Sequence, residues 1–583
     1  MFDSIKSFAS DFFVTGEPMI YASDVAIVLV LAAIVFTLTY LKKWKWLWRE
    51  WLTTVDHKKI GIMYLVSALL MLFRGGVDAL LMRTQLALPD QNLLDPEHYN
   101  QIFTTHGTIM ILFMAMPFLF AMFNIAVPLQ LGARDVAFPF LNAVSFWLFF
   151  FGALLFNLSF VIGGSPDAGW TSYAPLTELG FDKGPGENFY LLGVQISGIG
   201  SMATGINFLV TILKMRAPGM KLMRLPLFCW SVIASCVVII FAFPALTIAL
   251  ALLMIDRIAG AHFFTMLHGG NPMMFLNLFW VWGHPEVYIV VLPAYGIYSE
   301  IVSTFSKKKI FGYKTMVISL MIISVVSYFV WAHHYFTMGA SAGVNSFFAV
   351  ASMLIGIPTG VKIFNWLFTM FRGRISMKLP MLWTLAFIPC FAMGGATGIM
   401  LAMAPADYQY HNSYFLIAHF HQVLIGGVAF GLKSLFGNNV HIFFGEPLQS
   451  PCMLLGMMTG LHDQISVQDI GLTNVTEADG LAVGRASKFV GKLMDPILSG
   501  CYTVDDDFLF RSLKAMYEQE NIFMEPSAHA SLFGPIQLLN GGREYLEKHN
   551  LLNKMEKCTH LAWSTGGNMV PYEQRKEYLE KEI

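Results

Sequence analysis

The sequence predicts an all-α bundle of membrane-spanning helices, followed by a smaller soluble α/β segment. The 583 residues are 56% hydrophobic and only 13% charged, whereas soluble domains carry about 25% charged residues. The mean hydropathy of +0.58 also indicates an integral membrane protein. The apolar character ends near residue 430, so we predict a membrane domain over 1–430 and a soluble domain over 431–583.

Long apolar runs divide the membrane domain into about eleven helices. A helix that crosses a bilayer needs about 20 mostly apolar residues, and each run approaches or exceeds that length. The predicted spans are 24–41, 60–82, 102–131, 143–163, 190–213, 225–255, 273–302, 313–335, 347–370, 381–404 and 412–432.

Basic residues in alternate links predict the orientation of these spans. Lysine and arginine concentrate in the cytoplasmic loops of membrane proteins. The link over 42–59 is rich in both, and every second later link is again basic or short. We therefore expect the N-terminus outside and the C-terminal tail in the cytoplasm.

Charge and cysteine usage argue against a nucleic-acid-binding protein and against a fold held by disulfides. The formal net charge is −1 and no basic stripe is present, which argues against nucleic-acid binding. The six cysteines are scattered and form neither a CxxC pair nor a disulfide framework. The N-terminus lacks the pattern of a removable signal peptide.

Six histidines lie inside apolar runs on four different spans. Ionisable groups within membrane spans are functional by default, and imidazole is a good ligand for iron and copper. Hydrogen-bonded packing would account for one such histidine more readily than for six. The set therefore predicts a redox centre with several metals. Its members are His106, His284, His333, His334, His419 and His421.

The spacing of the histidines suggests how they divide among metals. His419 and His421 point to opposite helix faces, since two residues rotate by about 200°. They can therefore bind two different metals, and His106, at a depth similar to His421, could be the second axial ligand of one haem.

A three-imidazole site is the second element of the predicted centre. His284 shares a helix face with Tyr288, and His284, His333 and His334 would leave an open position suited to copper. A haem on His419 would face that copper. An open iron facing an open copper can bind and reduce dioxygen.

Other ionisable residues fall at apolar positions. Glu286 and Lys362 lie inside spans, and Asp135 lies in a cytoplasmic link near two asparagines, so all three suggest proton-relay positions. Lys362 could instead snorkel to the membrane surface, and Tyr288 could be an interfacial aromatic residue. Three further histidines at span ends are expected to be solvated: His57, His98 and His411.

Four motifs resemble subunit I of the haem–copper terminal oxidase family. They are WGHPEVY (282–288), WAHHYFTMG (331–339), PTGVKIFNW (358–366) and AHFHQV (418–423). Residues from about 20 to 427 resemble the quinol-oxidising branch, including GARDVAFPFLN (132–142).

The resemblance assigns roles to the metal-binding and proton-carrying residues. It implies a low-spin haem on His106 and His421, a high-spin haem on His419, and one copper on His284, His333 and His334. Tyr288 matches a tyrosine that the family joins to a copper-ligating histidine. Asp135 and Glu286 match one proton pathway, and Lys362 matches the other. Asp407 and His411 match residues near the haem propionates.

The resemblance also implies substrates and partners. Arg74, Asp78, His98 and Gln101 match the quinol site of the quinol branch. Electrons from quinol would pass through the low-spin haem to the haem–copper centre, where dioxygen becomes water. Protons would come from the cytoplasm, and some would be pumped outward. The expected partners are oxidase subunits II, III and IV and the lipid of the cell membrane.

The tail resembles a different family. From GGVAFGLK (426–433) onward the sequence is similar to the C-terminal third of D-serine dehydratase, a pyridoxal-phosphate enzyme, for example in ADGLAVGRAS (478–487). Thr565 could match a contact to the cofactor ring. The Schiff-base lysine of that family has no counterpart here, so pyridoxal phosphate is not expected to bind the tail.

The change of family predicts a chimeric chain with a truncated oxidase bundle. A glycine-rich join that is plausible in both families favours recombination or gene mis-assembly over a selected fusion. We expect such a chain to be poorly stable and at best weakly loaded with haem.

Two other functions remain open on sequence alone. One is a pyridoxal-phosphate lyase fragment fused to a non-functional oxidase segment, against which the absent lysine weighs. The other is a transporter whose intramembrane histidines relay protons. A haem spectrum separates both from an oxidase.

Overall fold

The computed structural model describes two compact units of the chain. One unit comprises 1–83 with 94–426, and the other comprises 84–93 with 427–583. The predicted join lies outside the described residues, and the domain boundary at 430 stays a prediction. The described residues are 18–87, 91–425, 441, 443–478, 481–486, 498–520, 522–549, 551, 552, 554, 555, 560, 570 and 572–581.

The first unit is a bundle of α-helices in its described residues. Its helices are α1 (Pro18–Tyr40), α2 (Trp44–Leu47), α3 (His57–Gln85), α4 (Pro96–Leu131), α5 (Pro139–Leu158), α6 (Gly186–Lys214), α7 (Leu227–Ala259), α8 (Pro272–Phe305), α9 (Tyr313–Val326), α10 (Ala342–Leu354), α11 (Gly356–Met370), α12 (Leu379–Ala402), α13 (Ala404–Tyr410) and α14 (Tyr414–Ile425).

Long apolar helices make this unit a multi-pass membrane protein. Eight helices in the described part of the chain are long and apolar enough to span a membrane, with α10 and α11 counting as one. Pro18–Tyr40 and Tyr414–Ile425 are helical at two further predicted spans. The predicted helical class is confirmed, whereas the predicted number of eleven spans is not.

The predicted span 313–335 is only partly α-helical. The α-helix ends at Val326, and two 3₁₀ turns follow, at Ser327–Phe329 and Trp331–Tyr335. The Ser324 hydroxyl donates to the Leu320 carbonyl at 3.0 Å in the last α-helical turn, and the Ser327 hydroxyl donates to the Ser324 carbonyl at 2.8 Å. Such side-chain bonds compete with the α-helical ladder. The adjacent histidines 333 and 334 therefore lie on a 3₁₀ turn.

Helix α4 contains a π-helical segment at Ile109–Ala115, three residues after His106. Pro117 follows this segment and has no N–H to continue the α-helical ladder. Segments of this kind occur often at functional sites.

Small residues let neighbouring helices approach closely. A Cβ added at Gly152 of α5 would lie 2.5 Å from the Gly193 carbonyl oxygen of α6, so neither backbone could keep its place. Close approach through small residues is typical of helices packed in membranes. Helix α6 packs in turn on α7, and α7 makes an extensive interface with α8.

The second unit contains a short parallel sheet and several helices. Strand β1 (Phe443–Pro447) pairs in parallel with β2 (Gly500–Val504), with Phe443 opposite Gly500. A small core of Val504, Leu509 and Ala530 lies beside them. The helices of this unit are α15 (Cys452–Thr459), α16 (Asp506–Glu520), α17 (Gly534–Gly541), α18 (Arg543–Lys548) and α19 (Tyr572–Glu580). The predicted α/β class is confirmed.

A buried carboxyl makes the stability of the tail dependent on pH. Glu446 on β1 accepts hydrogen bonds from the backbone N–H groups of Met453 and Leu454, each at 2.8 Å. Burial nevertheless raises the pKa of this carboxyl above that of an ordinary glutamate. The folded tail therefore holds this proton more tightly than the unfolded chain, and its stability falls as the pH rises through the raised pKa.

We expect Glu446→Gln to reduce this loss of stability with rising pH. The measurement is hydrogen exchange of peptides covering 443–460 in the full chain, from about pH 4 to about pH 8, corrected for intrinsic exchange. Glu518→Gln, at an exposed position of α16, is the control. Equal pH dependence of the parent chain and the Glu446→Gln variant would contradict the role of this carboxyl.

Candidate redox centre

Three histidines converge in the membrane unit. One ring nitrogen from each of His284, His333 and His334 can be chosen so that all three lie within 4.8 Å of one another. The Nδ1 of His284 is 3.0 Å from the Nε2 of His334, and the Nε2 of His284 is buried without a hydrogen-bond partner among the described residues. A buried nitrogen of this kind, beside two more imidazoles, fits a copper ion in its chemistry.

Neighbouring side chains hold the two adjacent histidines in place. The ring of Trp280 stacks on His334 with centroids 3.6 Å apart and planes 7° apart. The Nδ1 of His333 lies 2.8 Å from the Ser352 hydroxyl on α10, which leaves its Nε2 for a metal. Such second partners fix ring orientation in metal sites.

His419 on α14 is anchored against α12. Its Nδ1 lies 2.8 Å from the Gly394 carbonyl oxygen and 3.1 Å from the Thr397 hydroxyl. A Cβ at Gly398 would come within 2.8 Å of the ring, so glycine is needed there.

His106 and His421 show the same type of anchoring. The Nδ1 of His106 lies 2.8 Å from the Gly75 carbonyl oxygen, and the Nδ1 of His421 lies 2.9 Å from the Ile417 carbonyl oxygen. Each Nδ1 is therefore oriented as a donor, which leaves Nε2 available to a metal and fits a ligand of haem iron.

The predicted proton-relay residues differ in their surroundings. Glu286 is buried, and neither carboxyl oxygen has a hydrogen-bond partner in the described part of the chain. Lys362 is fully buried, which argues against the snorkelling alternative. Tyr288 packs edge-on to His284, with ring centroids 4.7 Å apart. Asp135 is half-buried and accepts from the backbone N–H of Val136 at 2.8 Å.

Two of the predicted quinol-site residues form a direct ion pair. Arg74 and Asp78 lie one turn apart on α3 and contact each other through guanidinium and carboxylate. The Arg74 guanidinium also lies 4.8 Å above the Phe160 ring, and the Thr105 hydroxyl reaches Asp78 at 3.4 Å. His98 is buried and Gln101 is half-buried on α4.

The expectation that the histidines at span ends are solvated is wrong for two of them. His57 is 1% exposed and His98 is 7% exposed. The Nδ1 of His57 lies 2.6 Å from the Asn124 carbonyl oxygen, so a polar partner on α4 compensates for burial. His411 is half-buried and pairs with Asp407 at 3.1 Å.

Comparison with protein families identifies the membrane unit. The family described as cytochrome c and quinol oxidase polypeptide I matches residues 59–457, which is more than half of the chain. The chain belongs to this family. The predicted resemblance to haem–copper oxidases, drawn from four short motifs, is therefore confirmed.

Curated relatives place the chain among bacterial oxidase sequences of this family. It is 67% identical over 420 residues to quinol oxidase subunit 1 of Bacillus subtilis, covering 72% of this chain and 65% of that protein. It is 60% identical over 417 residues to probable quinol oxidase subunit 1 of Staphylococcus aureus, covering 72% and 63%. The chain thus spans slightly less than two thirds of the length of these relatives.

A solved structure supports the oxidase fold. A haem–copper terminal oxidase dimer solved by cryo-EM matches 87% of this chain and 85% of its own, with a TM-score of 0.56 and 18% identity. At this level of identity the match shows the fold alone.

The tail matches a second family. The family described as pyridoxal-phosphate dependent enzyme covers residues 393–546. The two matches overlap over 393–457, and we assign 404–425 to the oxidase because His419 in this stretch contacts Gly394 and Thr397 of α12. The predicted chimeric character is confirmed, whereas the narrower resemblance to D-serine dehydratase and the role of Thr565, which lies outside the described residues, stay predictions.

Several partners in the redox centre were not predicted from the sequence. The carbonyl groups of Gly75 and Gly394 leave no signal in side-chain chemistry. Ser352 and Thr397 are ordinary helix residues, since serine and threonine occur widely in membrane helices. Of these partners, Trp280 alone could have been found from the sequence. It lies four residues before His284 and therefore on the same helix face.

Proposed function

We propose that residues 18–425 form the redox core of a quinol oxidase subunit I that reduces dioxygen to water. The convergence of His284, His333 and His334 carries this proposal. When bound, two haems and a copper would supply electron transfer and oxygen chemistry. The low-spin haem would be held by His106 and His421, and the high-spin haem by His419.

The protein's own side chains supply substrate binding and proton control. Arg74 and Asp78 present a charged pair suited to the hydroxyl groups of a quinol, with His98 and Gln101 as further polar groups of that site. The Asp407–His411 pair, whose side chains are in contact at 3.1 Å, would bind haem propionates. Other oxidase subunits and membrane lipid complete the assembly, with the N-terminus outside.

Buried ionisable groups would deliver protons to the centre. Glu286 has no hydrogen-bond partner in the described residues, so it can exchange a proton with water that enters the unit. Asp135 would supply this path from the cytoplasmic side, while Lys362 would serve a second path that ends at Tyr288.

Asp78→Asn is expected to impair quinol oxidation by roughly 100-fold, because it removes the charge that orients Arg74. The measurement is quinol-dependent oxygen consumption, normalised to haem, with kcat and KM determined separately. Glu50→Gln is the matched control, since it breaks the surface ion pair of Glu50 with Lys59 at 2.5 Å. Equal activity of the Asp78 variant and the parent would exclude this quinol site.

A further inference from the structure

Lys362 on α11 carries a cationic side chain with an unusual environment. The residue is fully buried, and its Nζ has no hydrogen-bond partner among the described residues. Within the same part of the chain, no carboxylate forms an ion pair with it. A cation inside a membrane unit is costly unless some group compensates for its lost hydration.

An aromatic ring lies against this charge. The Nζ of Lys362 lies 5.3 Å from the centroid of the Tyr295 ring on α8. A cation within about 6 Å of a ring face is attracted by the ring quadrupole, and the attraction is strongest where water is excluded. Tyr295 is only 2% exposed, so this contact is desolvated.

The surrounding residues hold the Tyr295 ring in a fixed position. Trp366 and Phe391 pack against it with ring centroids at 5.9 and 5.5 Å. The Ser299 hydroxyl donates to the Tyr295 carbonyl at 2.6 Å and accepts from the Trp366 indole N–H at 2.9 Å. Trp366 follows Lys362 by one helical turn, so the same contacts tie α11 to α8.

Tyr295 lies on the same helix, α8, as two residues of the candidate redox centre, His284 and Tyr288. Tyr288 lies two turns before Tyr295 on the same face of α8.

We propose that Tyr295 is a positioning residue for Lys362, its ring taking the place of a counter-ion. The inference rests on the proposed function for the use of Lys362 in proton delivery. The contact itself requires neither haem nor copper.

The test is the ε-¹⁵N resonance of Lys362 in the full chain in lipid, assigned by its loss in Lys362→Met. Tyr295→Leu removes the ring and is expected to lower the ratio of ammonium to amine about 30-fold, the size of a desolvated cation–π contact of about 2 kcal/mol. Tyr295→Phe keeps the ring and should leave the ratio within about threefold of the parent. Tyr298→Leu, which removes a ring stacked on Phe387 at 3.8 Å, is the control.

A graded series keeps the test decisive if the leucine variant does not fold. Phenylalanines with increasing ring fluorination at position 295 weaken the quadrupole with little change in shape. The ammonium fraction of Lys362 should fall stepwise with fluorination. A flat series, or an equal effect of Tyr298→Leu, would overturn the proposal. Absence of haem from the preparation would contradict the proposed function and leave this resonance measurable.

Discussion

His284→Ala is expected to abolish stoichiometric copper binding by the full chain. The three imidazoles lie within 4.8 Å of one another, and the Nε2 of His284 has no other partner among the described residues. Loss even of second partners of metal-bound histidines weakens metal affinity 10- to 100-fold, so loss of a ligand should exceed roughly 100-fold. Copper per chain, measured by mass spectrometry after dialysis, should fall from about one to near zero.

His262→Ala provides the matched control for this experiment. His262 is a histidine whose ring stacks on His268 at 4.1 Å, and it lies outside the cluster. Its loss should leave the stoichiometric copper in place. Equal copper content in the His284 variant and the parent would show that the three-imidazole cluster is a packing arrangement.

Replacement of the tail is expected to raise haem content at least about tenfold. In this variant, residues 427–583 are exchanged for the segment of the Bacillus subtilis relative that follows its own matched region. The described part of α14 has 12 residues, or about 18 Å, and packs mainly on α12 and α13. His419 and His421 are only half-buried there, so further helices are needed to enclose haem.

Haem per chain, measured by pyridine haemochrome, reports the outcome of the exchange. The same exchange combined with His421→Ala should gain haem at the His419 site alone. Equal haem content before and after the exchange would show that the foreign tail does not limit haem binding.

The membrane helices were largely predictable because apolar runs of bilayer length have few alternatives. The predicted runs 60–82 and 273–302 lie wholly within observed helices. The run 225–255 does so except for its first two residues. The structure differs from these predictions where hydrogen bonding to the backbone, and not the length of an apolar run, determines the helix geometry. Serine hydroxyls end α9 before the histidine pair, and Pro117 accompanies the π-helical segment of α4.

The histidines of the candidate redox centre were predicted from residue types, whereas the partners that anchor them were not. His419 and His421 must face opposite sides of a helix, whatever surrounds them. The carbonyl partners of His106 and His419 depend on which helix lies alongside, and one sequence does not contain that information. The same holds for the burial of His57 and for the ring beside Lys362.

The most direct test of an oxidase-type centre is a reduced-minus-oxidised spectrum of the purified full chain. We expect a haem band in the parent that is diminished in His419→Ala and in His421→Ala, each removing a different component. His262→Ala should match the parent. A parent chain without a haem band, or a band of equal size and shape in all four proteins, would contradict the assignment of these histidines to a haem–copper centre.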